Sequence, residues 1–97
     1  MAQPIYHVWF AKWKEPWYKL SSEEQNALGA KVDASLKQVG AEPLVTCGSS
    51  WASEEWLAWG VEKFPSIEAV QQHDKILLGL NWFMYIDSKT YLGTAMP

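Results

Sequence analysis

The sequence predicts an α+β domain of four strands and two helices in the order β-α-β-β-α-β. Three observations predict it. The chain opens on an aromatic and β-branched run, Ile5 to Trp13, with no breaker inside it. Two later segments carry apolar residues at helical spacing, and each is opened by a serine in capping position. Each helix leads into a further extended run, and 97 residues suffice for one domain spanning 1–97.

Taken in order, the first strand alternates Tyr6, Val8 and Phe10 on one face with His7, Trp9 and Ala11 on the other. Both sets are largely apolar, so both faces are expected to be covered, one of them by a second sheet or subunit. Lys14 to Leu20 reads as a connection. Ser21 with Glu24, and Ser22 with Gln25, fit the capping-box spacing, and Leu28, Val32, Leu36 and Val39 form one stripe before Gly40 stops the helix. A weaker edge strand is expected over Leu44–Trp51, bulged at Gly48, then a hairpin turn at Ala52 and Ser53. The third strand is placed at Glu54–Phe64. Ser66 caps a helix whose Ile67, Val70, His73 and Leu77 share a face, and Gly79 ends it. The last strand is expected over Asn81–Asp87, with a tail through Tyr91 and Leu92 that turns at Gly93. This order is the ferredoxin-like split βαβ, an antiparallel sheet with two helices on one face and the first and third strands in the middle.

Composition narrows the function. The net charge is −3, and the eight basic residues are all lysine. Without the arginine fork the chain is poorly equipped for phosphate or nucleic acid, so no nucleic-acid partner is expected. Cys47 is single, which rules out an internal disulfide and favours a reducing compartment. Met1 to Pro4 lack the basic start and apolar run of a signal peptide, and no apolar stretch is long enough to span a bilayer. A cytoplasmic protein with no membrane association is the expectation. Seven tryptophans are too many to bury in so small a core with every indole N–H satisfied. They line a pocket or sit in a subunit interface, and a homodimer through the open sheet face is expected.

The run Phe64-Pro65-Ser66-Ile67-Glu68-Ala69-Val70, together with His7 near the start of the opening strand, resembles the dimeric α+β barrel superfamily. That superfamily includes small polyketide cyclases, stress-responsive barrel proteins, antibiotic-biosynthesis monooxygenases and muconolactone isomerases. The helix start is most similar to the olivetolic-acid-cyclase type. That group has a tyrosine where this chain has His73, and a histidine further on that this chain lacks.

The resemblance implies a pocket between sheet and helices. His7, Trp9 and Ala11 would face the helices, and Ala58 and Gly60 would leave a hollow, with Glu62 at one end. Ile67, Val70 and His73 would form the roof, and Phe83, Tyr85 and Asp87 the remaining wall. A hydrophobic or aromatic small molecule is the implied partner, with no cofactor; no metal is expected, because the sequence has none of the close ligand spacings of a readable zinc site. His73 is the first candidate base, since imidazole titrates near neutral pH. The alternative is a core histidine bonded to backbone. His7 and Tyr85 are candidates to stabilise developing negative charge, and Glu62 to orient His7 or act as a base. Three functions follow: a cofactor-independent cyclase or isomerase acting by proton abstraction, a cofactor-independent monooxygenase or haem-degrading barrel, and a non-catalytic homodimeric ligand-binding module.

Overall fold

The computed structural model describes residues 3–97, so Met1 and Ala2, which belong to the signal-peptide reading, lie outside the described residues. Four strands form one antiparallel sheet: β1 (Ile5–Trp13), β2 (Glu42–Gly48), β3 (Ala58–Phe64) and β4 (Ile86–Gly93), in the order β2-β3-β1-β4. β1 and β3 are central, as the split βαβ order requires. The helices are α1 (Glu15–Tyr18), α2 (Ser22–Gln38) and α3 (Ile67–Gly79), and a 3₁₀ turn covers Trp82–Met84. Among the described residues, no helix is long and apolar enough to cross a membrane.

The helix ends follow local chemistry. Ser21 and Glu24 form a reciprocal capping box at α2: the Glu24 backbone N–H donates to Ser21 Oγ, and the Ser21 N–H donates to Glu24 Oε1. Ser66 Oγ accepts from the Ala69 backbone N–H at α3. Gly40 follows α2 at φ 76°, a left-handed conformation that glycine adopts without a Cβ clash, and the Ala41 N–H returns to the Leu36 carbonyl.

Three boundaries differ from the sequence expectation. The second strand begins at Glu42 and ends at Gly48, and its register shifts between Pro43 and Val45 rather than at Gly48. Residues 49–57 form a loop instead of a hairpin turn inside longer strands. Ser49 Oγ donates to the Trp56 carbonyl, and Ser53 Oγ accepts from the Glu55 and Trp56 backbone N–H groups. The last strand is Ile86–Gly93, not Asn81–Asp87. Asn81 takes a left-handed conformation at φ 56° and redirects the chain, so Trp82 to Met84 coil into the 3₁₀ turn. The last two residues of the expected strand and the tail after them then pair with β1, from Trp13 opposite Ile86 to Tyr6 opposite Gly93.

Packing closes the two ends of the molecule and leaves its middle open. At one end Leu36, Ala41 and Phe64 are buried, with Ile5, Val39, Ala69 and Val70 against them. At the other, Trp13 stacks on Trp17 at 4.0 Å between ring centroids, and Trp82 meets both edge-on. Between these plugs the helices stand off the sheet. The chain measures 44 × 30 × 17 Å.

Candidate functional site

The gap between α2, α3 and the sheet is a cleft of about 1220 Å³. Its floor is the alternate set of β1 side chains, His7, Trp9, Ala11 and Trp13. Glu62 and Ala58 come from β3. Ile67, Val70, His73 and Leu77 come from the apolar face of α3, and Val32 and Leu36 from the α2 stripe.

The polar groups gather at one end. His7 Nδ1 lies 3.1 Å from Glu62 Oε1, and both residues are shielded from solvent. Their backbones are paired across β1 and β3, which places the two side chains on the same sheet face. The His7 ring meets Phe64 edge-on at 5.6 Å between centroids, and the His73 ring lies 5.4 Å from the same phenyl. His73 is only 7% exposed, and its Nε2 has no hydrogen-bond partner among the described residues. Burial lowers the His73 pKa from its usual value, and the nearby Glu62 carboxylate opposes this in part. At neutral pH the ring is therefore a neutral imidazole carrying an unspent buried nitrogen.

Several residues expected at the site lie elsewhere. Gly60 makes no hollow: a Cβ built there would lie 2.8 Å from the Trp9 indole, which covers the glycine and itself forms cleft floor. Tyr85 is not on a strand and does not line the cleft. It follows the 3₁₀ turn, packs edge-on against Trp17 at 6.3 Å, and accepts the Lys14 backbone N–H through its carbonyl. Asp87 pairs with Lys12 and is exposed, on the sheet face opposite the His7 set. Phe83 does line the cleft, from the 3₁₀ turn instead of from a strand.

The cleft also holds residues the sequence reading missed. Trp13 continues the alternation of His7, Trp9 and Ala11, so that period extended by two residues finds it. Ser88, Thr90 and Leu92 enter from β4 and were hidden because the last strand was placed too early. Asp33 and Asp74 stand beside Val32 and His73 on the helices, one position from the apolar stripes. Among the described residues, no group of three or more His, Cys, Asp or Glu is placed to hold a metal ion.

The architecture is a ferredoxin-like fold, a four-stranded antiparallel sheet with its helices on one face. Solved structures of this fold superimpose over essentially the whole chain. A chlorite dismutase variant from Candidatus Nitrospira defluvii matches with a TM-score of 0.75 at 13% identity, covering 99% of this chain and 41% of that one. A protein of unknown function from Rhodopseudomonas palustris matches at 0.67 and 13% identity, covering 100% of this chain and 85% of that one. The hydroxynitrile lyase of Passiflora edulis matches at 0.57 and 12% identity, with both chains covered in full. The present chain thus spans less than half of the chlorite dismutase chain it resembles. No family model matches the sequence, and no curated protein is similar to it. At these identities the likeness is one of fold, and a fold of this kind hosts many functions.

Proposed function

We propose that the chain is a small-molecule-binding α+β barrel that acts as a cofactor-independent isomerase or cyclase on an aromatic or polyketide-like carbonyl compound. The observation that carries this reading is His73: a buried imidazole bordering an apolar cleft, with Nε2 unpartnered and its basic form favoured by burial. In the proposed step, the His73 ring turns so that Nε2, sealed from solvent in the free protein, meets the cleft and takes the proton from the carbon next to a carbonyl. The C–H electron pair moves into the adjacent C–C bond, and the carbonyl π pair moves to oxygen, giving an enolate. His7, which meets Glu62 through Nδ1, directs its Nε2 edge toward that oxygen and stabilises the charge that develops there. The His73 imidazolium then returns the proton to a different carbon, or the enolate carbon closes a ring onto a second carbonyl, whose oxygen takes the proton. Tyr85, which lies outside the cleft, has no part in it.

Exchange of ketone α-protons tests the step without knowledge of the natural substrate. With phenylacetone in D₂O, NMR is expected to show deuterium entering faster than in buffer alone. His73→Gln is expected to slow this by about 10²–10⁴-fold, the usual range for a lost general base. Exchange at the buffer rate in the parent, or undiminished in the variant, removes the proposal.

A second reading is favoured by the size of the cleft, which exceeds the roughly 300–1,000 Å³ of common ligand pockets. It takes haem as a substrate, with His73 Nε2 toward the iron. Haem titration is then expected to shift the Soret band in the parent and not in His73→Gln.

A homodimer formed through the free sheet face belongs to the same proposal. Tyr6, Val8 and Phe10 point away from the cleft, next to Trp59 and Val61 of β3 and Tyr91 of β4.

A further inference from the structure

The cleft is polarised along its length and in its charge. β1 carries His7 at one end of the cleft floor and Trp13 at the other. At a strand rise of about 3.3 Å per residue, these side chains stand roughly 20 Å apart. The His7 end holds Glu62 and His73, and the Trp13 end holds Trp82 and Phe83. A molecule lying along this axis meets polar groups at its head and flat aromatic walls along its body.

The charged residues bordering the cleft are unequal in sign. Three carboxylates, Asp33, Glu62 and Asp74, face one ammonium, Lys75. The chain has no arginine anywhere to hold a carboxylate or phosphate in a two-point grip. Asp33, Asp74 and Lys75 are exposed at the mouth, whereas Glu62 is 8% exposed on the floor. Glu62 Oε1 is engaged by His7, and Oε2 has no hydrogen-bond partner among the described residues. His73 Nε2, in the same end of the cleft, is also unpartnered. His73 Nε2 is sealed from solvent, whereas Glu62 Oε2 is not among the buried unpartnered atoms and is the acceptor left open to a donor-bearing ligand. A second anion there would be desolvated beside Glu62, with no lysine or arginine on the floor to offset it.

We propose that the cleft selects an elongated, aromatic-bodied ligand that bears no anionic group and seats a hydroxyl or amine head against Glu62 Oε2. The inference rests on the isomerase or cyclase reading of the cleft, not on the haem reading, since haem carries two carboxylates, and it adds the class of molecule the cleft takes. Free acids, phosphate esters and coenzyme A thioesters are rejected, and neutral alcohols, phenols and amines are accepted.

Calorimetric titration with three probes of one body tests it: naphthylhexanol, naphthylhexylamine and naphthylhexanoate. The alcohol and the amine are expected to bind at least tenfold more tightly than the carboxylate at low salt, and the amine's advantage is expected to shrink as salt is raised. Glu62→Gln is expected to bring the carboxylate within threefold of the alcohol. Should that buried substitution prevent folding, Asp33→Asn with Asp74→Asn at the exposed mouth is expected to weaken the amine alone by about threefold. A carboxylate that binds the parent as well as the alcohol overturns the selection while leaving a small-molecule site in place. Failure of all three probes removes both the selection and the site. A preference for the alcohol over the carboxylate that survives Glu62→Gln, or an amine undiminished by the mouth substitutions, overturns the assignment to these carboxylates.

Discussion

His73 joins the sequence to the proposed chemistry most directly. Its place on the α3 stripe fixes its burial, and burial disfavours its charged form. The sign of the resulting pH dependence follows. The folded-state pKa lies below the unfolded value of about 6.5, so the unfolded chain binds more protons once the pH drops below that value. Stability is therefore expected to be flat above about pH 7 and to fall as the pH is lowered through the window beneath 6.5. Urea unfolding of parent and His73→Gln at pH 7.5 and 5.5 checks this, with a clearly smaller loss in the variant. Equal losses would mean that His73 does not feel its burial. The exchange activity is expected to decline in the same acidic window, because only neutral imidazole accepts the proton.

Gly60 provides a second test on one residue. The sequence places a small residue there, and smallness on a strand reads as space. The structure shows the opposite use: the indole of Trp9 fills the position, 2.8 Å from where a Cβ would stand. Gly60→Ala is expected to displace that ring into the cleft and to destabilise the fold by about 1–3 kcal/mol, as overpacking does. Near-ultraviolet circular dichroism would report the moved indole. An unchanged spectrum with unchanged stability would show that Trp9 has another rotamer at no cost.

Among the elements, legibility tracked how much of the signal was local. α2 and α3 were readable because a serine, its capping distance and an apolar stripe are all short-range marks. The Ser21 backbone and hydroxyl hold the Glu24 carboxyl below its usual pKa, which is the titration signature of the reciprocal cap. Ser21→Ala is expected to cost about 0.5–2 kcal/mol in thermal or chemical unfolding, and Glu24→Gln less, since glutamine keeps the acceptor oxygen. β1 was readable because it is apolar on both faces. β4 was not, because as an edge strand its Asp87, Ser88, Lys89 and Thr90 are exposed and lack a buried alternation. The aromatic run Trp82 to Tyr85 took its place in the reading, since ring-rich sequence suits a strand, while Asn81 in its left-handed turn had already sent those rings to the Trp13 and Trp17 plug. The same displacement removed Tyr85 and Asp87 from the cleft. Strand parity and one helix face set His7, Glu62 and His73 on their elements, but the choice of which β1 face meets the helices came from the family resemblance and not from parity.

The whole molecule exposes more surface than its size warrants. Its accessible area is 6592 Å², against about 5,650 Å² for a compact monomer of 11.1 kDa. Its radius of gyration is 13.9 Å, where about 12.5 Å is usual for this length. The surplus of roughly 900 Å² is close to the ~800 Å² each partner buries in an ordinary interface, and the sheet face that carries the half-buried Val8, Phe10, Trp59 and Val61 is the proposed seam. Val8 stands at the centre of that face, opposite Val61 on one side and Tyr91 on the other. Sedimentation is expected to give twice the 11.1 kDa of one chain for the parent. Val8→Lys is expected to give the single-chain mass with the helical and strand spectrum retained, because in a lone sheet the lysine reaches water along its own stem, whereas between two sheets its charge is trapped. A parent that sediments as a monomer at tens of micromolar, or a Val8→Lys protein that remains paired, would assign the surplus surface to the cleft alone. The cleft faces away from the proposed seam, so the dissociated variant is expected to keep the alcohol-over-carboxylate preference of the parent.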